Sequence, residues 1–421
     1  MVKKTTFKSG LRVLTIPQRG TGAVTVLVLV KTGSKYEERR INGISHFLEH
    51  MFFKGTKKRP EPIAIPEAID KVGGYMNAFT GEDYTGYYVK VSAAKTALAL
   101  DVVSDILCNS LLSAKEIEKE KGVIIEEINM YRDTPNRHIY DLFQKLLYGD
   151  QPAGWNIAGS RESVLGLYRS DLLSYMNSQY IASKTVVCVA GNIEEEKVIK
   201  NVGRMFSHLP RGDFLDKQPV VEAQKKPQLL LETRKIEQTQ VALGARGVNL
   251  ADPRRFDQEL LASHLGGMMS SKLFVEVREK LGLVYDISTS SESNPDTGYI
   301  VTTAGVKHGF EEKAITTILR EYKKLKSTLL SEQELNKVKE HEMGKLSLRL
   351  ETSNAQANFY GMQELLEERY FTPQQVYDKI QKVRATDIRL LAKQVFRPEN
   401  LNLAVLGNFR DRERFRKLLS V

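Results

Sequence analysis

The fold of this chain is decided by a stretch that occurs twice, as ISHFLEHM at residues 44–51 and as ASHLGGMM at residues 262–269. The two copies lie 218 residues apart, and three further matches follow in the same order at nearly the same separation. These matches pair 85–87 with 297–299, 111–116 with 329–334, and the region 170–192 with 386–408. A repeat of this length indicates two homologous domains of ordinary size.

The repeat predicts a first domain over residues 1–209, a linker over 210–226 and a second domain over 227–421. Pro, Gly, Asp and Lys collect in the linker, as they do at domain boundaries. Within each half, short β-branched stretches that alternate in polarity are followed by long helical patterns. The sequence therefore predicts an α+β fold in which each domain is a mostly antiparallel sheet flanked by helices.

Composition and charge disfavour several classes of protein. The 421 residues carry a net charge of +10, but Lys and Arg are spread along the chain without a nucleic-acid-binding motif, so no nucleic-acid partner is expected. A basic nucleic-acid-binding protein is kept only as a weaker alternative. The longest apolar run, residues 23–30, is shorter than the ~20 residues of a membrane span, so no membrane partner is expected either. Cys108 and Cys188 lie in apolar contexts outside any C-x-x-C motif. We therefore expect reduced thiols and a cytoplasmic location.

The stretch HFLEH at residues 46–50 carries the chemistry. His46 and His50 are four residues apart, so on a helix they face the same side at a spacing that one metal ion bridges. Glu49 projects near that face and can accept a proton from a metal-bound water without being a ligand. The arrangement is the inverted H-x-x-E-H motif. The alternative, two solvated or core histidines on an amphipathic helix, leaves a buried pair without partners.

A third metal ligand is expected from the helical pattern at residues 113–132, because catalytic zinc sites take three protein ligands and keep one position for water. Glu127 flanks the apolar face of this helix, whereas Glu126 points roughly the opposite way. The sequence therefore predicts Glu127 as the ligand. Glu120, one heptad earlier, is predicted to support the site from behind the ligands.

The second copy of the repeat lacks most of this set. At the positions of Glu49, His50 and Glu127 it has Gly267, Met268 and Lys345, and only His264 matches His46. The second domain is therefore predicted not to bind metal in this way. We expect His264 to be an ordinary core or surface histidine.

These residues resemble the pitrilysin/insulinase family of zinc peptidases, specifically its mitochondrial-processing-peptidase-like branch. Residues 43–56, GISHFLEHMFFKGT, resemble the family's first signature, and residues 120–127 resemble the second, whose last Glu is the zinc ligand. The stretches SKLF at 271–274 and REKLGLVY at 278–285 are similar to the signature of the second domain. The resemblance covers the whole chain.

The resemblance implies further site residues. Asn77, Ala78, Phe79 and Thr80 would form a substrate-binding edge strand, and Arg278 and Tyr285 would bind substrate and stabilise the reacting carbonyl. By residue type alone, Arg278 and Tyr285 would instead be an ordinary surface arginine and a core tyrosine.

The implied function is that of a zinc-dependent endopeptidase with one Zn²⁺ per active site, which hydrolyses peptides or unfolded segments with Glu49 as general base. Family members enclose a chamber with four such domains. A two-domain chain is therefore expected to form a homodimer, or a heterodimer with a homologous subunit, in which Arg278 and Tyr285 complete the partner's site. A catalytically inactive interaction or assembly subunit of the same fold remains the alternative. The retained Glu49 and the full ligand set disfavour it.

Overall fold

The computed structural model describes residues 2–212, 215–409 and 413–419. The predicted linker, 210–226, and both predicted domains each include residues that lie outside these ranges. The strands are β1 Lys3–Thr6, β2 Arg12–Pro17, β3 Ala23–Val30, β4 Tyr75–Thr80, β5 Thr85–Ser92, β6 Thr185–Gly191, β7 Gln228–Thr233, β8 Thr239–Arg246, β9 Val284–Ser293, β10 Gly298–Val306 and β11 Leu401–Gly407.

The helices range from five to 19 residues in length. They are α1 Ile44–Met51, α2 Ala64–Asp70, α3 Thr96–Cys108, α4 Ala114–Arg132, α5 Pro135–Tyr148, α6 Arg161–Leu165, α7 Arg169–Gln179, α8 Glu195–Met205, α9 Arg255–Gly266, α10 Glu311–Ser327, α11 Glu332–Arg349, α12 Ser353–Glu367, α13 Pro373–Lys382, α14 Ala385–Val395 and α15 Glu413–Leu418. A π-helical segment, Phe274–Glu279, follows α9.

The first compact unit consists of Met1–Asn129, Asn156–Gln218 and Leu348–Phe371. Its sheet has the strand order β1-β2-β6-β3-β5-β4, and only β2 and β6 run parallel. All residues of strand β3 except Thr25 are apolar, because both faces of the strand are covered. Val26 and Val28 face the core that includes α1, α3 and α4, while Leu27 and Leu29 face α12.

The second compact unit consists of Met130–Trp155, Pro219–Ser347 and Thr372–Val421. Its sheet has the order β7-β11-β8-β10-β9, which repeats β2-β6-β3-β5-β4 of the first unit, and only β7 and β11 run parallel. Helices α9, α10 and α14 cover one face of the sheet, and α5 covers the other. The predicted α+β fold, built twice around mostly antiparallel sheets, is confirmed.

Two helices belong to the unit formed mainly by the other half of the sequence. Helix α5 packs on the second sheet, and α12 packs on the first. They are equivalent in the repeat, since Pro135 and Ser353, their first residues, are also 218 positions apart. The compact units therefore depart from the ranges 1–209 and 227–421 at these helices, and the division of the sequence into those domains stays a prediction.

Candidate metal centre

Helix α1 presents the histidine pair, and a distant carboxylate fixes where this helix begins. Gly43 precedes the helix with a φ of 96°, and a Cβ there would lie 2.6 Å from the Ala158 carbonyl oxygen. The buried Glu37 carboxylate accepts hydrogen bonds from the backbone N–H groups of Gly43 (2.7 Å) and Ser45 (2.9 Å). Glu37 thus satisfies N–H groups that a helix N-terminus leaves unpaired.

His46, His50 and Glu127 converge in the first unit. Glu127 Oε2 lies 3.6 Å from His46 Nε2 and 3.3 Å from His50 Nε2, and the two imidazole centroids are 4.6 Å apart. One ligand atom from each residue lies within 4.8 Å of the others. Within the described parts of the chain, no other group of three His, Cys, Asp or Glu side chains is arranged to hold a metal ion.

This donor set fits zinc. Zinc with ligands at 2.0–2.2 Å in tetrahedral geometry separates its ligand atoms by about 3.4 Å, which agrees with the two distances from Glu127 Oε2. Two imidazoles and a carboxylate are also ligands that zinc prefers. With three protein ligands, the set leaves one position open for water, as in catalytic rather than structural zinc sites.

Glu120 and Lys54 support the site from behind. His50 Nδ1 lies 2.9 Å from Glu120 Oε1, so a proton on Nδ1 leaves Nε2 free to bind a metal. The Lys54 ammonium lies 2.7 Å from the other oxygen of Glu120. Burial alone would raise the pKa of Glu120, but the hydrogen bonds from His50 and Lys54 outweigh it and lower this pKa below its usual value.

The two histidines are held in different protonation states before a metal binds. Burial, and then the charge of His50, lower the pKa of His46 to about 4. Burial also acts to lower the pKa of His50, but the adjacent Glu120 and Glu127 carboxylates outweigh it and raise this pKa to about 9. His46 is therefore ready to bind a metal at neutral pH, whereas His50 must release a proton.

Glu49 is placed to handle protons. It extends from α1, and its Oε2 accepts a 2.6 Å hydrogen bond from the Thr80 hydroxyl at the end of β4. Burial raises the pKa of Glu49, while the Thr80 hydroxyl and His50 oppose this effect. A carboxylate with a raised pKa beside a metal-ligand cluster is suited to act as a general base and acid near neutral pH.

The predicted substrate-binding strand lies at an edge of the sheet. Residues 77–80 are in β4, which among the described strands pairs only with β5. Asn77 is exposed, and its Oδ1 accepts a hydrogen bond from the Ala78 backbone N–H. The unpaired side of an edge strand can accept another extended peptide.

Arg278 and Tyr285 lie together in the second unit. The Arg278 guanidinium is 5.6 Å from the centroid of the Tyr285 ring, and both residues line a cavity of about 850 Å³. The Tyr285 side chain is 76% exposed, so the interpretation of it as a core tyrosine is wrong. Its exposure is compatible with contact to a ligand.

The second copy of the repeat holds no equivalent cluster among its described residues. His264 is buried at the end of α9, and Lys345 is an exposed residue of α11. The His-His-Glu cluster thus occurs in one of the two units.

Sequence reasoning missed Glu37, Lys54 and the contact between Thr80 and Glu49. Glu37 lies seven residues before α1 and Lys54 three residues after it, and neither position follows a helical capping pattern. Two sequence signals could have indicated roles at the site. Lys54 lies within the signature at residues 43–56, and Thr80 lies in the predicted edge strand.

An α+β unit that occurs twice, with an inverted H-x-x-E-H helix and a distant Glu in one copy, defines a class of zinc metallopeptidases. Comparison with known proteins agrees with this class. The family model described as "Insulinase (Peptidase family M16)" matches residues 12–161, and "Peptidase M16 inactive domain" matches residues 167–341. The chain belongs to peptidase family M16, the insulinase family, as its motifs predicted.

Individual proteins extend the comparison to the full chain. YmxG of Bacillus subtilis, named an uncharacterized zinc protease, is 35% identical over 97% of this chain and 98% of its own. A protease of Helicobacter pylori has a similar structure, with a TM-score of 0.90 at 23% identity over 97% of this chain and 99% of its own. A chain of complex III2 from Candida albicans matches with a TM-score of 0.84 at 17% identity over 100% of both chains. The two structures share the fold.

No helix among the described residues is both long enough and apolar enough to cross a bilayer.

Proposed function

We propose that this protein is a zinc-dependent endopeptidase that hydrolyses peptides or unfolded polypeptide segments. One observation carries the proposal: the ligand atoms of His46, His50 and Glu127 converge, and Glu49, on the same helix as the two histidines, has a raised pKa. The His-His-Glu cluster is not needed for folding alone, since the second unit has the same sheet topology without such a cluster among its described residues. Membership in a family whose relatives are named zinc proteases supports the same function.

The mechanism follows from the positions of the side chains. Zinc held by His46, His50 and Glu127 would supply Lewis acidity, which polarises a carbonyl oxygen and lowers the pKa of water. Glu49 accepts the proton of the attacking water on its carboxylate and returns it to the leaving amine. Thr80 holds Glu49 in place and favours its ionised form, so that the base is available before attack.

The peptide would bind as an added strand beside residues 77–80. Backbone hydrogen bonds to an edge strand give affinity with little demand on sequence, so the proposed substrates are extended or unfolded segments rather than one sequence. The residues proposed for this contact are Asn77, Ala78, Phe79 and Thr80. Selection of extended chains also fits enclosure of the site in a chamber.

The quaternary arrangement is part of the proposal. We infer a homodimer, or a heterodimer with a homologous subunit, whose domains together close the chamber. Arg278 and Tyr285 would then bind substrate and stabilise the negative charge on the reacting carbonyl oxygen. The expected cytoplasmic location rests on the cysteines, which are both free thiols.

The decisive experiment compares the wild-type protein with Glu49→Gln. Bound zinc is quantified, and cleavage of a quenched fluorescent peptide is measured. We expect the variant to keep its zinc and to lose cleavage by roughly 10²–10⁴-fold, the usual contribution of a general acid-base group. Glu126→Gln, an exposed neighbour of Glu127, serves as the matched control and should cleave like the wild type.

An inactive interaction subunit is the second candidate, because the fold is shared with a chain of complex III2 and with a model described as an inactive domain. That candidate predicts no cleavage by the wild type even when zinc is bound. Equal cleavage by the wild type and Glu49→Gln would contradict the proposed mechanism.

A further inference from the structure

The second unit contains a small polar cavity where the repeat places its counterpart of the histidine helix. The cavity has a volume of about 220 Å³ and lies among the end of α9, the residues leading into the π-helical segment, and α11. Its polar lining includes His264, Ser271, Lys272, Lys280, Glu334 and Lys337. The equivalent helix of the first unit carries the proposed metal ligands, whereas this lining has three lysines against two glutamates, Glu276 and Glu334.

One polar group in the lining is buried without a partner. Ser271 is 3% exposed, and its hydroxyl has no hydrogen-bond partner within the described residues. His264, which is 7% exposed, lines the same cavity. Buried polar groups are nearly always paired, so the unpaired Ser271 hydroxyl at this cavity indicates a missing ligand.

The charges around the cavity define the sign of that ligand. Lys272 Nζ lies 2.5 Å from Glu334, and Lys280 Nζ lies 2.6 Å from Glu276. The positive and negative charges within each of these two pairs cancel. Lys337 instead donates to the Ser270 carbonyl oxygen at 2.9 Å, and no described carboxylate lies within 4.0 Å of its ammonium. One positive charge therefore remains, and it favours an anion over a metal cation as the ligand.

The size of the cavity limits the ligand further. Its volume of about 220 Å³ lies between the roughly 30 Å³ of one water molecule and the roughly 300 Å³ where drug-sized pockets begin. Burial lowers the pKa of His264 to about 4, so at neutral pH its ring is uncharged and can donate one N–H. Lys337, Ser271 and His264 together offer three donors and a single charge.

We propose that this cavity binds a small tetrahedral oxyanion of the phosphate class, held by Lys337, Ser271 and His264. Lysine is a common phosphate ligand, and hydroxyl and imidazole N–H groups complete the coordination of such oxygens. Ser271 is close in sequence to Arg278, but Arg278 and Tyr285 line a different cavity, and the proposed binding does not depend on peptidase activity. Inorganic phosphate and a phosphate ester share this chemistry.

Calorimetric titration of the full-length, zinc-loaded protein with inorganic phosphate tests the proposal. Sodium chloride keeps the ionic strength constant. We expect saturable binding that Lys337→Gln and Ser271→Ala each weaken by roughly tenfold or more, since each removes a donor to a charged ligand. Lys345→Gln removes the same charge from an exposed position outside the cavity, so this control should bind phosphate like the wild type.

Nuclear magnetic resonance locates the bound ion. Phosphate should shift the imidazole signal that is absent from His264→Gln, and a parallel titration with phosphoserine distinguishes an ester from the free ion. Binding that Lys337→Gln leaves unchanged would overturn the proposal, because such binding would occur elsewhere, for example at the zinc. The absence of saturable phosphate binding to the wild type would overturn it as well.

Discussion

At His50, the two ring nitrogens have different partners, and this division sets the properties of the proposed zinc site. Nδ1 faces Glu120 at 2.9 Å, and Nε2 faces Glu127 at 3.3 Å. A carboxylate behind a ligating histidine fixes its tautomer and orientation and increases its basicity. In the proposed zinc site, Glu120 would thus act on the metal through His50 rather than by contact.

Replacing Glu120 tests this arrangement. Glu120→Gln should weaken zinc binding by about 10–100-fold, the usual effect of losing such a supporting group. Affinity is measured by competition with a zinc chelator at pH 7.5. Glu118→Gln, on the same helix but largely exposed, is the matched control and should bind zinc like the wild type. Equal zinc affinities of Glu120→Gln and the wild type would show that Glu120 has no such role.

The hydrogen bond from Thr80 to Glu49 predicts a change in the pH profile. Because the hydroxyl favours the ionised carboxylate, Thr80→Val should raise the pKa of Glu49 above its already raised value. A general base works only when ionised, so the acidic limb of kcat/KM against pH should move to higher pH. Thr80→Ser keeps the hydroxyl and should leave the limb in place. A limb at the same pH in all three proteins would argue against Glu49 as the base.

At the residue scale, the sequence predicted which residues lie together where the helical repeat relates their positions. His46, Glu49 and His50 share one helical face, and Glu127 and Glu120 are one heptad apart, so helical geometry relates them within each group. Glu37 could not be found this way, because its contact with Gly43 and Ser45 depends on the path of an irregular segment. Such a path has no sequence period.

At the scale of elements, α1 depends on Glu37 for its start. Glu37→Ala leaves two backbone N–H groups at the helix N-terminus without their acceptor, which should cost about 2 kcal/mol in the free energy of unfolding. Urea denaturation measures this cost. Glu38→Ala, at the exposed neighbouring position, is the control and should change stability little.

The stability that Glu37 contributes at the start of α1 should depend on pH. Burial raises the pKa of Glu37 from 4.5 to about 7 in the folded protein. Between these two pH values the folded state therefore holds a proton that the unfolded state has released. Stability from this group is therefore complete below pH 4.5 and decreases as the pH rises to about 7. The stability difference between the wild type and Glu37→Ala should accordingly be larger at pH 5 than at pH 8. A difference that grows with pH would contradict this account of Glu37.

Elements with a clear period were the most predictable. The pattern at 113–132 predicted a helix, and α4 spans Ala114–Arg132. Residues 23–30 form β3, whose two covered faces explain why apolar residues lie on both of them. The sequence did not show which helix covers the second face, since an apolar stripe on a helix is the same whichever sheet it meets.

At the scale of the whole molecule, the repeat explains why the helix exchange is reciprocal. Helices α5 and α12 hold equivalent positions, and each covers the sheet of the unit built mainly from the other half of the chain. The internal repeat predicted that the two halves share a fold. It could not predict the exchange, because covering the sheet of the same half or of the other half satisfies the same sequence pattern.

The exchange predicts how fragments behave. A fragment of residues 1–209 lacks α12, so the sheet face that carries Leu27 and Leu29 loses the cover provided by Ala357, Tyr360 and Leu365. Exposure of each large apolar side chain costs roughly 1.5–3 kcal/mol, so a few of them approach the 5–15 kcal/mol by which a typical domain is stable. The fragment should therefore not unfold cooperatively when expressed alone.

Coexpression of residues 1–209 with residues 210–421 restores both helices to their sheets, and the two fragments should then purify together. Size-exclusion chromatography and thermal melts of the single and paired fragments make the measurement. Extending the first fragment cannot replace the partner, because α12 lies at residues 353–367, far along the second fragment. A cooperative melt of residues 1–209 alone, at the temperature of the full chain, would show that α12 contributes little to the first unit.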